Sequence, residues 1–210
     1  MGIKSNNVIF KDIKFEKVIP SVPTYDDFTS SIDTNMWDVI NPEFGTLSVS
    51  NSELTISNTS GSSSSMMGIL SKNSFPIGTR FISRVKHVAG QHSCYIGMFE
   101  SVPTTVGPHG GSVQGAAFYG RATQNDTIGS YRDENNKGGY AQYSNILGDT
   151  FYKFELYRES ASTLRFYVDD VLVHTTSNVL FQNDYKLFLG GDGYTNPNTM
   201  VVDYAQIITP

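Results

Sequence analysis

Between Ala116 and Tyr143 the chain spaces four tyrosines and two arginines: Tyr119, Arg121, Tyr131, Arg132, Tyr140 and Tyr143. A tyrosine ring offers a flat apolar face with a hydroxyl at its edge, and an arginine offers a planar fork of N–H donors. Those shapes suit a sugar, which presents an apolar C–H side to a ring and hydroxyls to planar polar groups. These six residues form the candidate glycan surface. His109, in the loop "VPTTVGPHGGSVQG", joins them as a ligand-contact candidate, although a solvated loop histidine is the plainer reading. Tyrosine and arginine also mark protein interfaces. A protein contact and a bare tyrosine-rich sheet surface therefore stand beside the glycan reading.

Glu155 and Glu159 lie four residues apart in "ELYRE". On a strand that spacing puts both on one face. It is one way to hold two carboxyls about 5–5.5 Å apart, as retaining glycoside hydrolysis requires. A solvated strand face is the plainer reading. The four histidines, His87, His92, His109 and His174, form no spaced Cys/His group, so a zinc site is not expected. "GGDGYTNPN" carries Asp192, Asn196 and Asn198, oxygen ligands suited to calcium but short of carboxylates, and a plain turn is preferred there. Apart from that calcium candidate no cofactor is expected. Cys94, the one cysteine, sits in an apolar run and reads as a small core residue.

These residues need strands to position them. "LRFYVDDVLVHTT" alternates on both sides of Asp169-Asp170, which predicts a hairpin with a two-residue turn. That turn would pair Val168 with Val171, Phe166 with Val173 and Leu164 with Thr175, with Asp170 at positive φ. "GTLSVSNSELTISN" predicts a second hairpin turning at Asn51-Ser52. Further runs such as "FPIGTRFISRVKHV", "HSCYIGMFES" and "TFYKFELYRES" continue the pattern, and no helix of convincing length intervenes. With 12 Tyr, 13 Phe and abundant Ser, Thr, Asn and Gly, the chain reads as an all-β sandwich or barrel of roughly a dozen short strands.

Residues 1–23 differ from the rest. Val8, Phe10, Ile13, Phe15 and Val18 stand among lysines and acids, and Pro20 and Pro23 close the stretch. It reads either as an edge strand of the sandwich or as an N-terminal arm, with residues 24–210 as the domain. The net charge of −5 gives no basic footprint for nucleic acid. No apolar run reaches a membrane span, and the start has no apolar core of a secretion signal. Synthesis in the cytoplasm without a secretion signal, with association to a virion, is the expectation.

The order "DDFTSSIDTNMWDV", "LSVSNSELTIS", "YKFELYRESASTLRFYVDDVLV" and "LFLGG…MVVDYAQI" resembles the concanavalin A-like lectin/glucanase superfamily. Asp26-Asp27-Phe28 with Trp37, Val168 to Leu172, and Val202 to Ala205 stand where that superfamily has its recurrent pieces, over residues 24 to 210. The resemblance implies a jelly roll of two antiparallel sheets whose concave sheet takes ligands. Family-16 glucanases would require a strand reading E-x-D-x-E or E-x-D-x-x-E. In "ELYRE" Tyr157 occupies the place of the assisting aspartate. The expectation is therefore a non-catalytic, lectin-like carbohydrate-binding module, displayed on a virion or other particle as a decoration, fibre or adhesion protein. Residues 1–23 would attach it to other particle proteins or to copies of itself. A purely structural particle protein is the first alternative, and a glycoside hydrolase or polysaccharide lyase the second.

Overall fold

The computed structural model describes residues 24–62, 64–88, 92–102, 113–121, 126–132, 138–144, 146–177, 181–193 and 198–210. The expected arm or edge strand at 1–23 lies outside the described residues.

Fifteen strands are described. The first five are β1 (Thr24–Asp26), β2 (Trp37–Ile40), β3 (Gly45–Ser50), β4 (Glu53–Asn58) and β5 (Met67–Ser71). Then come β6 (Arg80–His87), β7 (His92–Phe99), β8 (Gly115–Arg121), β9 (Asp126–Arg132) and β10 (Gly138–Ser144). The last are β11 (Phe151–Ser160), β12 (Thr163–Val168), β13 (Val171–Thr176), β14 (Lys186–Gly191) and β15 (Asn198–Ile208). One sheet runs β13-β12-β11-β6-β15-β4-β3, with β1 also paired to β15. The other runs β10-β9-β8-β7-β14-β5-β2. Every pairing between named strands is antiparallel. The expected two-sheet antiparallel sandwich is what forms.

Alternation builds the core between the sheets. β4 buries Leu54 and Ile56, β6 buries Phe81 and Val85, and β12 buries Leu164, Phe166 and Val168. β15 buries Met200 and Val202, then Ala205 and Ile207, so the inward parity changes at Asp203. A register shift between Val202 and Tyr204 makes that change, since one extra residue turns the following side chains to the other face.

Both expected hairpins form. Asn51 and Ser52 have φ of 54° and 60°, and Asp169 and Asp170 have φ of 47° and 66°, the left-handed pair that a two-residue hairpin turn requires. Val168 pairs with Val171, and Tyr167 with Leu172, as the two-residue turn implies. Beyond that the expected register is corrected. Phe166 pairs with His174 and Leu164 with Thr176, because a bulge between Phe166 and Tyr167 takes up one residue. The physical reason lies inside the sheet. Thr176 is buried, and its Oγ1 accepts the Leu164 N–H at 3.1 Å, while the Phe166 ring lies 5.6 Å from that of His174.

Asp26 organises the entry to the sandwich. Its buried carboxylate accepts N–H groups from Phe28 (2.9 Å) and Asp33 (3.2 Å) and the indole N–H of Trp37 (3.0 Å). The Asp-Asp-Phe and tryptophan of the resemblance are thus joined by hydrogen bonds around one buried acid.

Candidate functional site

The seven-stranded sheet is covered on both faces. One face closes the main core. The other carries a second apolar cluster built on β5, β14, β7 and β8: Leu70, Phe188, Tyr95, Phe99, Ala117 and Tyr119. Cross-strand register assembles it, pairing Tyr95 with Tyr119, Gly97 with Ala117, and Phe188 with both Gly97 and Leu70. The Tyr95 and Tyr119 rings stack at 5.0 Å and 28°, and Phe99 meets Phe188 edge-on at 6.0 Å and 84°. Glycines leave space for these rings. A Cβ on Gly115 would come within 2.6 Å of the Phe99 ring, and one on Gly190 within 2.5 Å of Phe188. Met66 and Val113 are buried in the same cluster, with Ile40 and Val102 packed against it.

This cluster is what reasoning from alternation alone misses. The available signal is the continuous apolar run in "MGIL" and "LFLGG", which marks strands buried on both faces. β5 is buried at every position, and β14 at all but its first residue.

Acids lie only at the margins of this face among the described residues. Asp192, just past β14, is fully buried, and Tyr95 donates its hydroxyl to it at 3.3 Å. Asp38, on edge strand β2 opposite Leu70, pairs loosely with Lys72 at 3.7 Å. The centre of the face, around Gly97, Gly115 and Ala117, carries small and aromatic residues.

Two of the residues expected to form the glycan surface, Tyr119 and Tyr143, lie on opposite faces of the sheet. Tyr119 lies on this outer face but is buried against Tyr95. Tyr143 packs against the main core between the sheets. The backbone register pairs Arg121 with Asp126, Arg132 with Gly115, Tyr131 with Ala116 and Tyr140 with Ser130. Tyr131 and Arg132 therefore occupy register positions of opposite parity, and the side chains of Arg121, Tyr131, Arg132 and Tyr140 lie outside the described residues. His109 and Asn196 lie outside them entirely.

Glu155 and Glu159 sit on the other sheet, each held by its own arginine. Arg80 contacts Glu155 at 2.5 Å and rests 4.1 Å from the centre of the Tyr157 ring. Arg165 grips Glu159 through two nitrogens, each at 2.9 Å. Asn198 and Asp192, the other two members of the calcium candidate, are joined to each other. The Asn198 amide donates to the Asp192 carbonyl at 2.7 Å, and its oxygen accepts the Cys94 thiol at 3.2 Å. Burial, with Asp192 nearby, pushes the Cys94 thiol well above its usual range. His87 is buried between the sheets, stacked 6.0 Å from Phe154, and desolvation lowers its pKa to about 4. No group of three or more His, Cys, Asp or Glu side chains suited to a metal occurs among the described residues.

No protein-family model and no curated protein matches the chain. Solved structures do match it. A Bacillus licheniformis β-glucanase superposes with a TM-score of 0.67 at 14% identity, over 90% of this chain and 98% of that one. The endo-β-1,3-glucanase from Pyrococcus furiosus gives 0.66 at 15%, over 89% and 93%. The apo Crh5 transglycosylase gives 0.66 at 15%, over 89% and 84%. Likeness at this level defines the class of fold, a concanavalin A-like jelly roll, as the sequence resemblance implied. It also corrects the expected function. The three similar structures are two glucanases and a transglycosylase, a finding that counts against the expected non-catalytic, lectin-like module.

Proposed function

We propose that this protein acts on polysaccharide or oligosaccharide chains as a glycoside hydrolase or transglycosylase. The observation that carries the reading is the likeness to carbohydrate-active enzymes over about nine-tenths of the chain. The outer side of the seven-stranded sheet is where we place the glycan, along the margins of the buried cluster and not on its stacked tyrosines. The reaction requires an acid and a nucleophile or base, set about 5–5.5 Å apart for retention or about 6.5–9.5 Å for inversion. The centre of the described face supplies neither. The acids to test are therefore those at its margins, Asp38 and Asp192, and those in and after β9, Asp126, Asp133 and Glu134.

The test is incubation of the full chain with laminarin, mixed-linkage β-glucan and chitin oligosaccharides, followed by reducing-end assay and product sizing. New reducing ends, or a redistribution of oligosaccharide lengths, are expected with at least one of them. One Asp→Asn or Glu→Gln change should reduce the rate at least about a hundredfold. Unchanged polymers throughout refute the reading.

A further inference from the structure

A recess of about 190 Å³ opens on the flank of the sandwich, away from the sheet face assigned to the glycan. The segment entering β2, the segment leaving β5 and the edge pair β1–β15 enclose it. Its apolar lining is Met36, Phe75 and Ile207. Its polar lining is Thr24, Asp33, Asn35 and Asn73. At roughly 30 Å³ per water in the liquid, this volume suits one ring-sized group and not a chain of them.

The walls are fixed by the fold. The Asp33 carbonyl accepts the N–H groups of Met36 (3.0 Å) and Trp37 (2.9 Å), and the Met36 carbonyl accepts that of Lys72 (2.9 Å). Phe75 is held by its N–H to the Tyr185 carbonyl at 2.8 Å. Asp33 is set from both sides: its N–H reaches Asp26, and its Oδ1 accepts two donors from Asn35 at 2.9 and 3.1 Å. A ligand would therefore meet a preorganised pocket, which lowers the entropic penalty of binding.

The chemistry of the lining selects the ligand. Among the described residues Asp33 is the only charged one in the lining, so an anion is disfavoured. Asp33 Oδ2 and the Asn73 amide make no side-chain hydrogen bond among the described residues. With the Thr24 hydroxyl they can exchange donors and acceptors with neighbouring hydroxyls. Phe75 and Ile207 supply apolar surface for a C–H face.

We propose that this flank recess binds a single neutral sugar residue, as a site separate from the sheet face. The inference stands on the recess itself and holds whether or not the chain cleaves glycans.

The test is a titration of the isotope-labelled full chain with methyl glycosides of hexoses and N-acetylhexosamines, followed by amide chemical shifts. Saturable shifts at Thr24, Asp33, Asn35 and Asn73, with a Kd in the millimolar range, are expected for at least one sugar. Asp33→Asn should weaken that affinity about tenfold and Asn73→Ala about threefold, with Tm unchanged. Asn73 is exposed and its side chain supports no other element, so its variant isolates the site. Polysaccharide turnover by the same variants should match that of the parent chain. A loss of turnover with sugar binding intact counts against the sheet-face reading and not against this one. No shift at these amides with any sugar overturns the site. Equal shifts with tetramethylammonium, taken by Asp33 and Phe75 as a cation, overturn the choice of ligand.

Discussion

His87 should make the stability of this protein depend on pH in a calculable way. The imidazole is buried between the two sheets, and no Nε2 partner exists for it among the described residues. It fits because Gly120 faces it: a Cβ there would come within 2.1 Å of the ring. Its pKa is about 4 when folded against 6.5 when free, with desolvation as the cause. Between those values the unfolded chain binds a proton that the folded chain refuses. The folded state is therefore fully favoured above pH 6.5 and loses stability as pH falls toward 4. Linkage puts the loss on the order of 3 kcal/mol between pH 7 and pH 4. The assay is urea unfolding of the parent chain and of His87→Leu at several pH values, since their difference cancels the titration of every other group. The leucine variant should gain on the parent by about that amount as pH falls. A gap that stays flat from pH 7 to pH 4 would mean that His87 accepts its proton freely in the fold, and the argument from burial would be wrong.

Asp26→Ala leaves three N–H groups, two of them buried, without their acceptor and should cost about 3 kcal/mol in chemical denaturation, followed by the fluorescence of the single tryptophan, Trp37. Asp170→Gly should change Tm little, within the equivalent of about 0.5 kcal/mol. The relief at φ 66° offsets the loss of an ion pair between Lys153 and an Asp170 that is largely exposed. Asp169→Ala should cost about 1 kcal/mol by the same measurement, because Asp169 Oδ1 accepts the Lys153 N–H at 2.9 Å. Cys94, buried and with its thiol pKa raised, should resist a thiol reagent at mildly alkaline pH until denaturant is added. Fast labelling of the native chain would contradict its placement.

Strand identity was legible because it rests on local rules: alternation and turn residues found the two hairpins, and both turns have the left-handed pair. Register was less so. Nothing in "LRFYVDDVLVHTT" reveals that a bulge near Tyr167 will bring His174 opposite Phe166, since that choice is made by burial of Thr176 within the sheet. The candidate site was the least legible. Tyr119 and Tyr143 are close in the chain and alike in type, yet strand parity sends one to the outer cluster and the other to the core. Parity on a strand is a relation to partner strands, and spacing along the chain does not contain it. The flank recess is of the same kind, assembled from Thr24, Asp33, Asn73 and Ile207, which meet only when the sandwich closes.

The order of strands has a consequence for how the chain is made. β15 lies between β6 and β4, and β14 between β7 and β5, so the last two strands are wedges at the middle of both sheets. β6 ends at His87 and β15 begins at Asn198. At a synthesis rate of roughly 5–20 residues per second, the gap in the nascent sheet stays open on the order of ten seconds. Throughout that interval β6 and β7 present long unpaired edges, the kind that invite pairing between chains. A ribosome-bound chain stopped before Lys186 would leave both sheets split. A peptide spanning residues 181–210, supplied separately, is then the natural complement to restore them.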